Sequence, residues 1–196
     1  PLAEIARQPV YIVALLGGVV AYGMMMLVMT ATPLAMEACG FGFADSAFVI
    51  QWHALGMFAP SFFTGALVAR AGVLNVMLVG AGLIAGCILI DLSGVGLLQF
   101  WGGLLLVGLG WNFLYVGATS LLTESYRPEE RAKAQGLNDS VLFGLVAVTT
   151  FSSGWLHSQF GWEAVNLAGV LPVAAVILGI LWLRRRFRVP AASEVA

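Results

Sequence analysis

The sequence contains little charge. Only 10% of its 196 residues are Asp, Glu, Lys or Arg, whereas about a quarter are charged in an average soluble domain. Hydrophobic residues make up 60%, and a water-soluble chain of this length could not bury so much apolar surface. The net charge of -1 does not indicate nucleic-acid binding, because the basic residues serve to orient the loops and do not form a binding stripe or patch. These scarcities predict an integral membrane protein.

Residues that carry chemistry are equally scarce. The two cysteines, Cys39 and Cys87, form neither a disulfide framework nor a metal-binding spacing. The sequence shows no catalytic triad, metal cluster or carboxylate pair, and its glycine runs neither follow a strand nor precede a Lys-Ser/Thr pair. We therefore expect no enzyme activity, no metal and no cofactor. The first residues also lack the pattern of a cleaved signal peptide.

The apolar residues fall into six runs. A bilayer core about 30 Å thick takes roughly 20 helical residues, and each run supplies such a length. We predict an all-α, polytopic membrane protein with one six-helix domain and a cytoplasmic basic tail at residues 184–196. Pro33 is expected to end the first helix, and Pro60 to kink the second. The predicted helices are residues 10–32, 44–69, 73–92, 97–122, 134–157 and 163–183.

All nine Lys and Arg residues lie before the first run, after the last, or in the second and fourth connections. Short loops rich in these residues remain in the cytoplasm, so both termini are predicted to be cytoplasmic and the membrane to be the cell inner (plasma) membrane. The basic tail also suits anionic lipid head groups. The basic residues are Arg7, Arg70, Arg127, Arg131, Lys133, Arg184, Arg185, Arg186 and Arg188.

An offset of 89 residues aligns the second three helices with the first three. It places Gly65 on Gly154 and Gly72 on Gly161. Three is an odd number of crossings, so the second triplet has the opposite orientation, as in the inverted repeats of secondary transporters. Polar residues concentrate in helices 1, 2, 4 and 5, which are expected to line any cavity, while helices 3 and 6 face lipid.

Two connections resemble those of the major facilitator superfamily. The segment Glu124 to Gly136 resembles the cytoplasmic loop between that family's tenth and eleventh helices. Gly65 to Gly72 resembles the C-terminal copy of its G-x-L-x-D-[RK]-x-G-[RK] signature, although Ala69 replaces the acidic residue and Val73 the final basic one. Because both of those charges are absent, the resemblance does not imply the charge relay of the full motif.

The resemblance implies that this chain is similar to the C-terminal six-helix half of a twelve-helix transporter. It implies secondary active transport of a small organic solute by alternating access, with the lipid bilayer and a second six-helix half, a partner subunit or a second copy as partners. The alternative is a non-transporting six-helix scaffold or assembly subunit that binds other membrane proteins. The short length and the degenerate signature favour this alternative.

Five residues in the middle of helices 1 and 4 are candidates for substrate binding. In the resembled family these helices line the central cavity, and aromatic and thioether walls with an amide suit a partly apolar solute. The alternative is ordinary helix packing. The candidates are Tyr22, Met26, Trp111, Asn112 and Tyr115.

Asp139, Arg70 and His53 are candidates for proton coupling or gating. Asp139 lies a few residues inside helix 5, where an ionisable group is a functional candidate by default. It can instead be stabilised by the positive helix end and pair with Arg70 or Arg131. His53 titrates near neutral pH when unperturbed, but a histidine at this depth more often bonds to a neighbouring carbonyl or hydroxyl.

Overall fold

The structure is a computed structural model that describes residues 2–188, and every regular element in that range is a helix. The bounds follow. The helices are α1 (Leu2–Ala6), α2 (Pro9–Ala38), α3 (Phe43–Phe58), α4 (Ser61–Ala71), α5 (Val73–Leu92), α6 (Leu97–Thr123), a 3-10 turn (Pro128–Glu130), α7 (Arg131–Ala168) and α8 (Val170–Arg188).

Within residues 2–188, four helical segments are long and apolar enough to cross a membrane, and a fifth is added if α3 and α4 count as one span. The fourth segment runs over 59 residues from Pro128 to Arg186. It is interrupted at Gly161, whose φ of 81° is not helical. A straight helix of this length would reach several times the roughly 20 residues of one crossing.

The prediction that Pro33 ends the first helix is wrong, because α2 continues through it to Ala38. Proline removes one helical hydrogen bond. The residues beyond it, Ala35 and Met36, are almost fully buried, and their packing offsets that loss. At the other terminus α8 extends past the predicted end at residue 183 to Arg188, while residues 189–196 of the predicted tail lie outside the described residues.

The kink predicted at Pro60 is confirmed. The predicted helix 44–69 is divided into α3 and α4, whose axes differ by 42°. Proline has no N–H group, so the preceding turn loses a donor. That donor would have served the carbonyl of Gly56. At the next residue, the carbonyl of Met57 accepts a hydrogen bond from α6, from the side-chain Nδ2 of Asn112 at 2.7 Å.

Two pairs of parallel helices form the centre of the bundle. In the first, Tyr11 near the start of α2 donates to the carbonyl of Ala134 near the start of α7, and Ser153 of α7 donates to Leu27 further along α2. In the second, α3 lies along α6, with His53 Nδ1 2.8 Å from the carbonyl of Leu104. Hydrogen bonds to backbone carbonyls thus tie each pair together.

Glycine allows α5 to approach α6 closely. A Cβ added at Gly80 would lie 2.5 Å from the backbone N of Leu114, and one added at Gly110 would lie 2.7 Å from the carbonyl oxygen of Gly80. Small residues at such positions let two transmembrane helix backbones approach closely. Gly82, two residues along α5, has nothing within 4 Å and has no such role inside the chain.

Of the glycine pairs that the 89-residue offset aligns, Gly72 with Gly161 shares a backbone feature that the pair Gly65 with Gly154 lacks. Gly72, between α4 and α5, has a φ of 86°, and Gly161 has a φ of 81°. Both conformations are disfavoured for residues with a Cβ. Each glycine ends one helical segment and begins the next, at opposite ends of the bundle.

Candidate functional site

Five aromatic rings from four helices meet in the middle of the bundle and form what we call the aromatic cluster. Tyr22 packs edge-on against Trp111, Tyr115 and Phe143, with ring centroids 5.2, 4.8 and 6.0 Å away. Trp111 stacks on Tyr115 at 5.3 Å and contacts Phe58 at 6.4 Å. These are the distances and angles that aromatic pairs prefer. The rings come from α2, α3, α6 and α7.

One edge of the aromatic cluster is open. Trp111 is only 7% exposed, whereas Phe58 and Phe143 are 62% and 53% exposed. Tyr22 and Tyr115 lie between these extremes and are half-buried. The cluster therefore reaches from the core to a surface bordered by α3 and α7. The indole Nε1 of Trp111 is buried and has no hydrogen-bond partner among the described residues.

Asn112 lies beside this cluster, but its polar groups are directed elsewhere. The buried amide donates to Met57 O and to Ser61 Oγ, both at 2.7 Å, and its Oδ1 accepts from Thr64 Oγ1 at 2.6 Å. All three partners surround the Pro60 bend. The partner that a mid-bilayer amide requires is therefore found within the chain. Met26 is half-buried against the core.

The three candidates for proton coupling or gating lie in different environments. Asp139 is exposed, and its carboxylate accepts a hydrogen bond from Asn138 Nδ2 at 3.1 Å. Within residues 2–188 no ion pair joins it to Arg70 or Arg131, and Arg70 is itself exposed at the end of α4. His53 is buried and bonded to Leu104 O, as the structural alternative predicted. The three do not form one cluster.

A further carboxylate, Asp91, was missed by the sequence analysis. It lies in the last turn of α5 and is 2% exposed. It stands one residue from the end of an apolar run, where a carboxylate is expected to reach the interface, so position alone gave no signal. Its burial depends on Gly103 of α6, which has no side chain and therefore leaves room for the carboxyl group of Asp91.

A cavity of about 730 Å³ opens between the end of α2 and the start of α3 and is lined by Pro33, Glu37 and Phe43 among others. Pro33 is about three helical turns from Tyr22, so this cavity does not contain the aromatic cluster. A void of only about 10 Å³ lies beside Tyr115. Among the described residues no group of three His, Cys, Asp or Glu side chains could hold a metal ion.

Comparison with protein families matches residues 14–195 to the Major Facilitator Superfamily. The chain belongs to this superfamily. The resemblance carried by the Glu124 to Gly136 and Gly65 to Gly72 segments is thereby confirmed. Membership of a family of membrane transporters, together with the long apolar helices, makes the chain part of a multi-pass membrane protein.

Three similar members of the superfamily are the riboflavin transporter RfnT of Brucella anthropi and two uncharacterized MFS-type transporters of Bacillus subtilis, YdeG and YddS. RfnT is 45% identical over 193 residues, which are 98% of this chain and 48% of RfnT. YdeG is 32% identical over 83% of this chain and 38% of its own length, and YddS 30% over 87% and 39%. The chain thus spans about half the length of these relatives or less. No solved structure matches it.

Proposed function

We propose that this chain is the C-terminal half of a secondary transporter that carries a planar aromatic solute across the inner membrane by alternating access. The aromatic cluster is the observation that carries the proposal. Its rings come from the four helices that the polar pattern assigned to a cavity, and one edge remains open. Stacked and edge-on aromatic walls favour a flat ring system.

The chain crosses the membrane six times, as two inverted repeats of three helices. Gly161 separates the fifth crossing from the sixth just as Gly72 separates the second from the third, and the two correspond at the 89-residue offset. The connections that carry Lys and Arg then lie on one side. That side is the cytoplasm, by the positive-inside rule.

A second six-helix half covers the open edge of the aromatic cluster. Small residues recur every fourth position along an exposed stripe of α7, and two of them, Gly136 and Gly144, have nothing within 4 Å. In a bilayer, small residues mark surfaces where another helix packs closely. The stripe consists of Ala132, Gly136, Ser140 and Gly144.

The solute resembles a flavin. The relative RfnT is named a riboflavin transporter, and the chain covers about half of it at 45% identity. An isoalloxazine ring is flat, apolar across its face and rich in hydrogen-bond acceptors at its edge. The cluster supplies stacking surfaces for the face, and the unpartnered indole N–H of Trp111 supplies a donor for the edge.

Proton coupling or gating is assigned to Asp139 and Arg70 on the cytoplasmic side of the path and to His53 nearer its outer side. Asp139 is exposed near the start of α7, free to take up a proton or to meet a cation on the second half. Arg70 occupies the basic position of the degenerate loop signature and contributes to gating. His53 is bonded between α3 and α6 and acts by transmitting movement between these helices.

The test uses the full-length protein in liposomes, with riboflavin as the probe and its fluorescence as the measure of binding and uptake. Removing the Trp111 ring in Trp111→Leu forfeits about 1.5 kcal/mol of aromatic contact, so we expect affinity to fall about tenfold. Trp182→Leu is the control, because Trp182 is half-exposed on α8 and distant in sequence from the cluster.

Three other outcomes would each contradict part of the proposal. Equal riboflavin affinity in both variants would place the site elsewhere and refute the role of the aromatic cluster. Absence of binding and uptake of any flavin by the wild-type protein would refute the flavin assignment. If a panel of other planar aromatic solutes were also not transported, the scaffold function would be favoured instead.

A further inference from the structure

Asp91 is a buried carboxyl group with one unsatisfied oxygen. Its Oδ1 is buried and has no hydrogen-bond partner among the described residues. This oxygen lies directly against Gly103 of α6, in space that any Cβ at that position would occupy. Its Oδ2 accepts only the weak S–H donor of Cys87, at 3.3 Å. An ionised carboxylate in such a setting would be poorly stabilised.

In the part of the chain that the structure describes, no Lys or Arg side chain lies near Asp91 to stabilise its ionised carboxylate. The sequence has no Lys or Arg between Arg70 and Arg127, or between Lys133 and Arg184. Since α5 begins next to Arg70 and α6 runs antiparallel to it, Asp91 lies at the end of the bundle away from the basic residues. Burial without a counter-ion favours the protonated carboxyl.

The titratable neighbours do not change this conclusion. Cys87 is one turn earlier on α5 and neutral as a thiol. Glu163, after the Gly161 break, is exposed and contributes only negative charge. On α6 the facing residue is Gly103, and the arginines of α8 and of α4 are at the opposite end. His157 is half-buried one turn before Gly161 and does not line the cavity described next.

A cavity of about 310 Å³ lies next to Asp91 at this end of the bundle. It is bordered by Asp91 and Val95 on one side and by Gly161, Trp162 and Glu163 on the other. Trp162 closes its inner wall and donates through Nε1 to the backbone carbonyl of Asp91 at 3.2 Å. Water that enters this cavity reaches the Asp91 residue from the side opposite to Asp139.

We propose that Asp91 is a proton-binding site, protonated in this conformation and exchanging its proton with the outer aqueous phase through this cavity. It is separate from the aromatic cluster and from Asp139. The site requires only that the chain is embedded in a membrane, so it stands whichever solute the protein carries. The outer position follows from the proposed orientation, while the protonation follows from the packing.

Infrared difference spectroscopy of the full-length protein in lipid tests the proposal. A protonated carboxyl has a C=O stretch that an ionised carboxylate lacks, so a pH titration reveals the group. We expect the wild-type protein to show this band at neutral pH, and Asp91→Asn to lose it, while Asp139→Asn retains it. A band unchanged in Asp91→Asn, or absent from the wild type, would overturn the proposal.

A second pair of variants keeps Asp91 and changes only its packing. In Gly103→Ala the new methyl group takes the space of the carboxyl, which has to leave its buried position, so we expect the band to disappear at neutral pH. Gly102→Ala is the matched control, because its Cβ would meet only Ile90 atoms at an ordinary 3.7 Å. If both variants keep the band, packing against Gly103 does not hold the proton, and the proposal fails. This pair decides the question even if Asp91→Asn does not fold.

Discussion

Replacing Gly80 by alanine is expected to force α5 and α6 apart. The new Cβ would lie 2.5 Å from the backbone N of Leu114 and 2.9 Å from the backbone O of Gly110, whereas ordinary van der Waals contact begins at 3.4 Å. Neither neighbour can rotate away, because both belong to a helix backbone. The two helices therefore have to separate by roughly 1 Å, and the close packing along their contact is lost.

Two opposing effects set the magnitude. Overpacking of this kind costs about 1–3 kcal/mol, while alanine is favoured over glycine in a helix by roughly 1 kcal/mol. Gly82→Ala on the same helix gains the second effect without the first, since nothing lies within 4 Å of its Cβ. We expect Gly80→Ala to be less stable than Gly82→Ala by about 1–3 kcal/mol, a difference that isolates the helix contact.

The assay is reversible unfolding of the full-length protein in mixed micelles, followed by circular dichroism. The double variant Gly80→Ala/Gly110→Ala adds a second measurement, because helices already separated by one methyl group accommodate the other at lower cost. Its destabilisation is expected to be smaller than the sum of the single effects. Equal stability of Gly80→Ala and Gly82→Ala, within about 0.5 kcal/mol, would refute the packing argument.

Two further predictions use the same unfolding assay. Ser153→Ala removes the hydrogen bond to Leu27 O and should lower the free energy of unfolding by about 0.6 kcal/mol. Ser152→Ala removes only a hydrogen bond within α7 and should cost less. A larger loss in Ser152→Ala than in Ser153→Ala would contradict the hydrogen-bonded contact between α2 and α7. Gly161→Ala should cost about 1–3 kcal/mol, because its φ of 81° and ψ of -177° lie in a region that is essentially restricted to glycine. Gly144→Ala, in an open helical position, should not destabilise. A neutral Gly161→Ala would show that the break does not require this conformation.

Composition and apolar runs predicted the membrane setting and the helical class. A run of about 20 apolar residues that crosses a bilayer has to satisfy its backbone hydrogen bonds internally, as a helix does. Family membership was predicted from two connections with characteristic residues. The Pro60 bend followed from proline's missing donor. Pro33 is chemically identical, yet its helix continues, because Ala35 and Met36 are buried beyond it. Local rules do not include that burial.

The details of the candidate site depended on contacts between helices that the sequence does not specify. Gly80 and Gly82 are the same residue on the same helix, and only the register of α5 against α6 distinguishes their roles. An amide in the middle of the bilayer, such as that of Asn112, needs a hydrogen-bond partner, but nothing in the sequence indicated Met57. Asp91 was missed because burial of a carboxylate near a helix end depends on a glycine of another helix.

The bend at Pro60 is fixed by a residue that belongs to neither α3 nor α4. Asn112 of α6 binds Met57 on one side of the bend and Ser61 on the other. The hydrocarbon interior contains no water to replace it, so a shift of α6 along its axis would leave the Met57 carbonyl without a donor. The angle between α3 and α4 is therefore coupled to the position of α6. The bend between α3 and α4 cannot straighten unless α6 slides along its axis.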